Sequence, residues 1–258
     1  MLCKEIIDVI ESTYAKRAAM DWDNVGLLVG RMEKDVKKIY VALEVTDEVL
    51  DAAIETGADM IVTHHPLIFS PLKKITDEHF IGNRVVRLLQ HDISYYAMHT
   101  NYDVLGMAEL SGKIFGLCNA EVFEVTDVEK QEGIGRIGNL ECNMTLKECC
   151  ELVKKKFQLD CVKLFGDKET SVRRVAIVPG SGGKMIRLAL SKKADVLISG
   201  DIDHHDGIDA VAQGLAVIDA GHYGLEHIFI ADMAAYLEKN LEGIIIEKAR
   251  ISHPFQVI

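Results

Sequence analysis

Short runs of β-branched and apolar residues alternate along this chain with longer segments whose apolar residues recur every three or four positions. Residues 38–44, Lys-Ile-Tyr-Val-Ala-Leu-Glu, read as a strand, and residues 47–56 read as a helix with one apolar face. The pattern continues with a strand at 59–63, a helix at 79–91 and a strand at 93–98. After a less regular middle stretch it resumes with strands at 172–178, 195–199 and 215–219, separated by helices at 184–192 and 207–213. A helix at 226–239 and a last strand at 243–249 complete the series. Strands separated by helices of this length imply parallel βαβ units, hence a layered α/β fold. The N-terminal residues Met1 to Ile10 form an amphipathic helical pattern carrying acids. They lack the apolar core and small-residue cleavage site of a signal peptide.

A weak internal repeat refines this picture. Ala58-Asp-Met-Ile-Val-Thr-His-His65 aligns with Ala194-Asp-Val-Leu-Ile-Ser-Gly-Asp201. Further on, the first half gives Tyr96-Ala-Met-His99 with Asp103 four residues later, and the second gives Asp219-Ala-Gly-His222 with Glu226 at the same step. Two matches in the same order point to duplication. The expected architecture is two similar α/β lobes, residues 1–125 and 126–258, facing each other across a metal cleft. Such a cleft would gather the C-terminal strand ends, where α/β proteins bind ligands.

Composition narrows the choice of partners. With 48% apolar residues there is ample material for a core, and no apolar run reaches membrane-spanning length. The formal charge of −11 disfavours bulk nucleic-acid binding, because phosphates are repelled away from a local basic patch or a bound metal. The basic clusters Lys154-Lys155-Lys156 and Arg173-Arg174 read as solvated element ends. Six cysteines show neither a Cys-x-x-Cys pair nor zinc-clamp spacing, so they read as reduced packing residues of a cytoplasmic protein.

The candidate chemistry lies at strand ends. His64-His65 follows a buried strand and precedes Pro66. Extended backbone would send the two rings to opposite sides, so each would serve a different metal, or one a metal and the other a neighbouring group. His222 and Glu226, at i and i+4, share one face if a helix begins near His222, and His99 and Asp103 repeat that spacing. Imidazoles and carboxylates in this pattern suit zinc, iron or manganese. The cluster Ser199-Gly-Asp201-Ile-Asp203-His204-His205-Asp206 offers acid–base or substrate contacts, His205 and Asp206 foremost, or further ligands. Gly180-Ser-Gly-Gly183 either presents backbone N–H groups to an anion or makes a tight strand-to-helix turn. Trp22 either walls the cleft or anchors the N-terminal helix.

Taken in order, Trp22-Asp-Asn-Val-Gly, Thr63-His-His-Pro, His99-Thr-Asn-Tyr-Asp103, Gly180-Ser-Gly-Gly, Ser199-Gly-Asp and Gly221-His-Tyr-Gly-Leu-Glu226 resemble the motifs of one family. It is the Ngg-interacting-factor-three-like family, often labelled GTP cyclohydrolase 1 type 2 homologs. The resemblance implies two α/β lobes around a dinuclear metal centre and a ring-shaped homohexamer. It places metal ligands at His64, His65, Asp103, His222 and Glu226, with His99 a further ligand or close neighbour. The family's inserted middle domain is expected to be absent, because residues 121–167 are too few to hold it. Asp203-His-His-Asp206 departs from the usual pattern of its loop.

Two classes of function fit these residues. One is a hydrolase using two divalent cations on a small molecule, either a nucleotide or a phosphoester. The other is a metal-loaded scaffold, or a metal-handling or regulatory protein, without turnover.

Overall fold

In the computed structural model, which describes residues 1–256 and Ile258, the apolar runs become strands and the periodic segments become helices. The first strands are β1 (Gly26–Val29), β2 (Lys38–Ala42), β3 (Met60–Thr63) and β4 (Ser94–Ala97). The middle supplies β5 (Cys118–Asp127), β6 (Glu132–Thr145), β7 (Lys163–Phe165), β8 (Ser171–Ser181), β9 (Val196–Gly200) and β10 (Ala216–Asp219). The last is β11 (Ile245–Lys248). Local side chains set several boundaries. Thr46 accepts from the Val49 amide and starts helix Asp47–Glu55. Thr145 and Glu148 cap helix Leu146–Phe157 reciprocally, and Gln158 ends it in the left-handed conformation.

The chain forms two compact units. The first contains Met1–Tyr102 and Phe229–Ser252, with a sheet in the order β1-β4-β3-β2-β11. Strands β4, β3, β2 and β11 run parallel, and β1 is antiparallel at one edge. Helices Asp47–Glu55 and Phe80–Gln90 make the crossovers, burying Leu50, Ala53, Val85 and Leu88 with Ile61 and Tyr95 of the sheet. The second unit contains Asp103–Ile228 and His253–Ile258, with the order β5-β6-β8-β9-β10-β7. Phe123, Ile137, Ala176, Leu197 and Val217 lie in its core.

The repeat seen in the sequence is a repeat of wiring. In each unit an antiparallel edge strand precedes three parallel strands and pairs with the third, giving β1-β4-β3-β2 and β7-β10-β9-β8. The two Ala-Asp pairs also do the same work. Asp59 accepts from the amides of Lys37 and Lys38 at 2.8 and 3.0 Å, pinning the start of β2. Asp195 accepts from Arg173 and Arg174 at 2.8 and 2.7 Å, pinning β8 in the same way.

The β5–β6 hairpin was not legible as strands. Much of β5 is exposed, so it lacks the buried alternation that marks a strand. Instead it pairs along β6 through backbone bonds that any sequence can make. Among the described residues no helix is long and apolar enough to cross a membrane.

Candidate metal centre

Beyond β3 the chain curls around one carbonyl. The amides of His64 and His65 both donate to Leu43 O, at 3.1 and 2.8 Å. The hydroxyls of Thr63 and Tyr95 both donate to the carbonyl of His65, at 2.8 and 3.0 Å, which locks the turn. The pleat argument for diverging rings therefore fails here: the backbone has left the strand, and the ring centroids of His64 and His65 lie 5.1 Å apart. His99, just after β4, joins them, its ring 5.5 Å from His64 and 5.9 Å from His65. His64 is fully buried and packs against Tyr102 and Phe229.

Carboxylates fix how two of these rings point. His65 Nδ1 meets Glu44 Oε2 at 3.2 Å, and His99 Nδ1 meets Asp23 Oδ1 at 2.8 Å. A carboxylate on Nδ1 favours the Nδ1–H tautomer and leaves the Nε2 lone pair as the ligand atom, as in many metal-ligating histidines. The Asp23 side chain is buried and also accepts from the Thr100 amide. Burial works against its charge, but hydrogen bonds from His99 and Thr100 outweigh it and hold the carboxyl below the usual range.

The second unit repeats the device at the end of β10. Helix His222–Glu226 starts immediately after Gly221, and the i, i+4 spacing brings His222 Nε2 to 3.0 Å from Glu226 Oε2. His222 Nδ1 meets Asp201 Oδ2 at 2.7 Å, and Asp201 also accepts from the Ser181 hydroxyl. Glu226 is buried, and a Cβ on Gly180 would sit 2.8 Å from its Oε1, so glycine at 180 makes room for the carboxylate. Asp103 is half-buried and opens a π-helical turn, Asp103–Met107. Such turns often sit at functional sites.

His64, His65 and Glu226 form a group that could hold a metal ion: each offers a ligand atom, and these atoms lie within 4.8 Å of one another. The donor set is hard-to-borderline, imidazole and carboxylate, which fits a divalent transition metal. The cysteines stand apart from it. Cys3, Cys149 and Cys150 are buried, and burial pushes the Cys149 thiol up to about 12. Glu44, Asp23 and Asp201 are the residues that spacing alone did not single out as partners of the histidines. Asp23 and Asp201 lay inside noted motifs, but Glu44 gave no signal, because its role depends on β2 lying beside β3.

From the loop after β9 it is Asp201 that reaches His222, while His205 is exposed and Asp206 lies against Gly183, in the first turn of helix His204–Ala212. The Gly180–Gly183 segment carries the end of β8 directly into a short 3-10 helix, Gly183–Met185. A Cβ on Gly182 would meet Ser199 Oγ at 2.2 Å, and one on Gly183 would meet the Asp206 carboxylate at 2.5 Å, a poor neighbour for an anion. Trp22 is exposed with its ring edge-on to His99, 5.9 Å away, and so sits beside the histidines.

Two expected results follow from this geometry. Gly200 has no space for a side chain, since its Cβ would lie 2.4 Å from His222 N and 2.7 Å from Gly221 C. Gly200→Ala should therefore cost about 1–3 kcal/mol by overpacking and displace His222. A thermal melt unchanged from wild type would refute this.

The second concerns pH. Burial opposes the His222 charge, but hydrogen bonds and attraction from Glu226 and Asp201 overcome it and raise the pKa from 6.5 to about 9. In chelated protein the resulting stabilisation is complete below 6.5 and is lost as pH rises through about 9. Melting temperatures across that range should fall in chelated wild type and fall less in His222→Gln.

The fold and these residues define a class: a mixed α/β protein with a histidine–carboxylate group that could hold a metal ion. The chain belongs to the Duf34/NIF3 (NGG1p interacting factor 3) family, whose model matches residues 1–253. A Clostridium acetobutylicum relative named "GTP cyclohydrolase 1 type 2 homolog" is 35% identical, over 98% of this chain and 94% of its own length. A Clostridium perfringens relative of the same name is 32% identical, with both chains covered in full at 100%. The crystal structure of a Bacillus cereus protein related to NIF3 superposes with a TM-score of 0.94 at 27% identity, covering 100% of this chain and 99% of that one.

Proposed function

We propose that this protein is a hydrolase dependent on two divalent cations, held by His64, His65, His99, Asp103, His222 and Glu226, and that it acts on a nucleotide or another phosphoester. The observation that carries the reading is the close group of His64, His65 and Glu226, set among histidines whose Nδ1 atoms are held by carboxylates. Cations in such a set supply Lewis acidity and lower the pKa of water. The chain's own residues prepare that chemistry. Glu44, Asp23 and Asp201 orient His65, His99 and His222 through their Nδ1 atoms. His205 and Asp206, at the start of their helix, are our candidates for proton transfer to substrate. The name carried by the relatives makes a guanine nucleotide the first substrate to try.

Elemental analysis of tag-free protein purified without chelator tests the site, with about two equivalents of transition metal expected per chain. Metal-loaded protein is then assayed against GTP and a panel of phosphoesters. His205→Ala and Asp206→Asn should keep the metal and lose turnover. Protein that cannot be loaded overturns the reading. Protein that loads and turns over nothing is a metal-binding protein of another kind. Light scattering on the same samples checks the expected homohexamer.

A further inference from the structure

Trp22 and Phe69 are large aromatic side chains left 66% and 55% exposed, and both stand edge-on to the ring of His99. Their centroids lie 5.9 and 5.6 Å from the imidazole, and their planes meet it at 79° and 87°. An isolated exposed aromatic needs no explanation, but two on one metal-site candidate do.

The loops that carry them are held firmly. The Asp23 amide donates to Met20 O at 2.9 Å, and the Met20 amide donates to Thr100 Oγ1 at 2.9 Å, so both sides of Trp22 are anchored. The buried Asp23 carboxylate fixes the next residue onto His99 and Thr100. Asn24 Nδ2 donates to Ile68 O at 2.6 Å, tying the Trp22 loop to the residue before Phe69. The Trp22-Asp-Asn24 segment thus binds the histidine through Asp23 and the second loop through Asn24, and presents the Trp22 indole edge-on to His99.

We infer that Trp22 and Phe69 are a stacking platform for a planar heteroaromatic ring, such as a nucleobase, whose polar edge points to His99. Rigid aromatic faces beside a polar centre suit such a ligand, because the faces take the flat ring while the centre takes its heteroatoms. Anchored loops also lower the ordering cost of binding. The inference names a substrate class for the site proposed above, and rests on that reading only for where the ring's polar edge goes.

Trp22 is the single tryptophan of the chain, so its emission reports directly on the platform. Full-length protein, metal-loaded and chelated, is titrated with guanosine 5′-monophosphate, uridine 5′-monophosphate and ribose 5-phosphate. Excitation at the red edge and a free tryptophan control correct for absorption by the bases. The expected result is saturable quenching by the nucleotides, stronger for the purine, and none by the ring-less sugar phosphate. Phe69→Ala should weaken nucleotide binding about fivefold or more with metal content and melting temperature retained, and Phe69→Tyr should restore it.

Equal quenching by all three probes, no saturable quenching, or an unaffected Phe69→Ala overturns the inference. So does a Phe69→Ala variant that changes oligomeric state while no nucleotide binds, since the pair is then a contact between copies. Quenching that persists in protein unable to load metal leaves the platform standing and removes the metal centre. Metal loading with no quenching does the reverse.

Discussion

His64→Ala is expected to weaken metal binding more than about a hundredfold, because even partners that only orient a ligating histidine cost about 10–100-fold when lost. His64 is fully buried, its amide is fixed on Leu43 O, and its ring packs among His65, His99, Tyr102 and Phe229. The variant also leaves only His65 and Glu226 of the three-residue group. Elemental analysis and competition with a chelator give the affinity, and far-UV circular dichroism shows that the fold persists. His91→Ala, at an exposed helix end, is the control and should keep its metal. A His64→Ala protein that binds metal like wild type would remove His64 from the site.

Phe229→Ala should show the largest loss of stability, about 3–5 kcal/mol for a buried phenylalanine. For a chain of 258 residues that corresponds to a fall in melting temperature of about 10 °C. Phe229 is fully buried, edge-on to Tyr102 at 4.9 Å and tilted against His64 at 5.4 Å. It begins the segment that returns to the first unit. Further along helix Ile228–Asn240, to which Phe229 belongs, Asp232 accepts from the Tyr102 hydroxyl at 2.6 Å, and Tyr236 donates to Val9 O at 2.8 Å. Truncation opens a cavity where the returning helix, the Tyr102 turn and His64 meet, so metal affinity should fall along with stability. Val128→Ala, at a position 74% exposed, should change the melt little. A Phe229→Ala melt within about 2 °C of wild type, no more than about 1 kcal/mol for a chain of this size, would show that the pocket collapses at little cost.

The parts of this protein legible in the sequence are those fixed by short-range chemistry. The parallel strands announced themselves because both faces are covered, leaving β3 as an unbroken buried Met-Ile-Val-Thr run and β9 as Val-Leu-Ile-Ser-Gly. The Ala-Asp repeat could be seen because one aspartate must always cap the same two amides of the neighbouring strand. His222 and Glu226 were visible as a pair because i, i+4 on a helix is a distance set by backbone geometry.

Long-range neighbours decided the rest. The convergence of His64 and His65 follows from both amides seeking Leu43 O, a residue on another strand end, and no dipeptide rule contains that. Glu44 becomes the partner of His65 only because β2 lies beside β3. The antiparallel β5–β6 hairpin and the return of β11 to pair with β2 rest on backbone hydrogen bonds, which carry no sequence signature of their own. The sequence by itself therefore determined the strands, the repeat and the residue types able to bind metal. The tertiary structure alone decided which carboxylate turns which imidazole, because that depends on side chains brought together from distant strand ends.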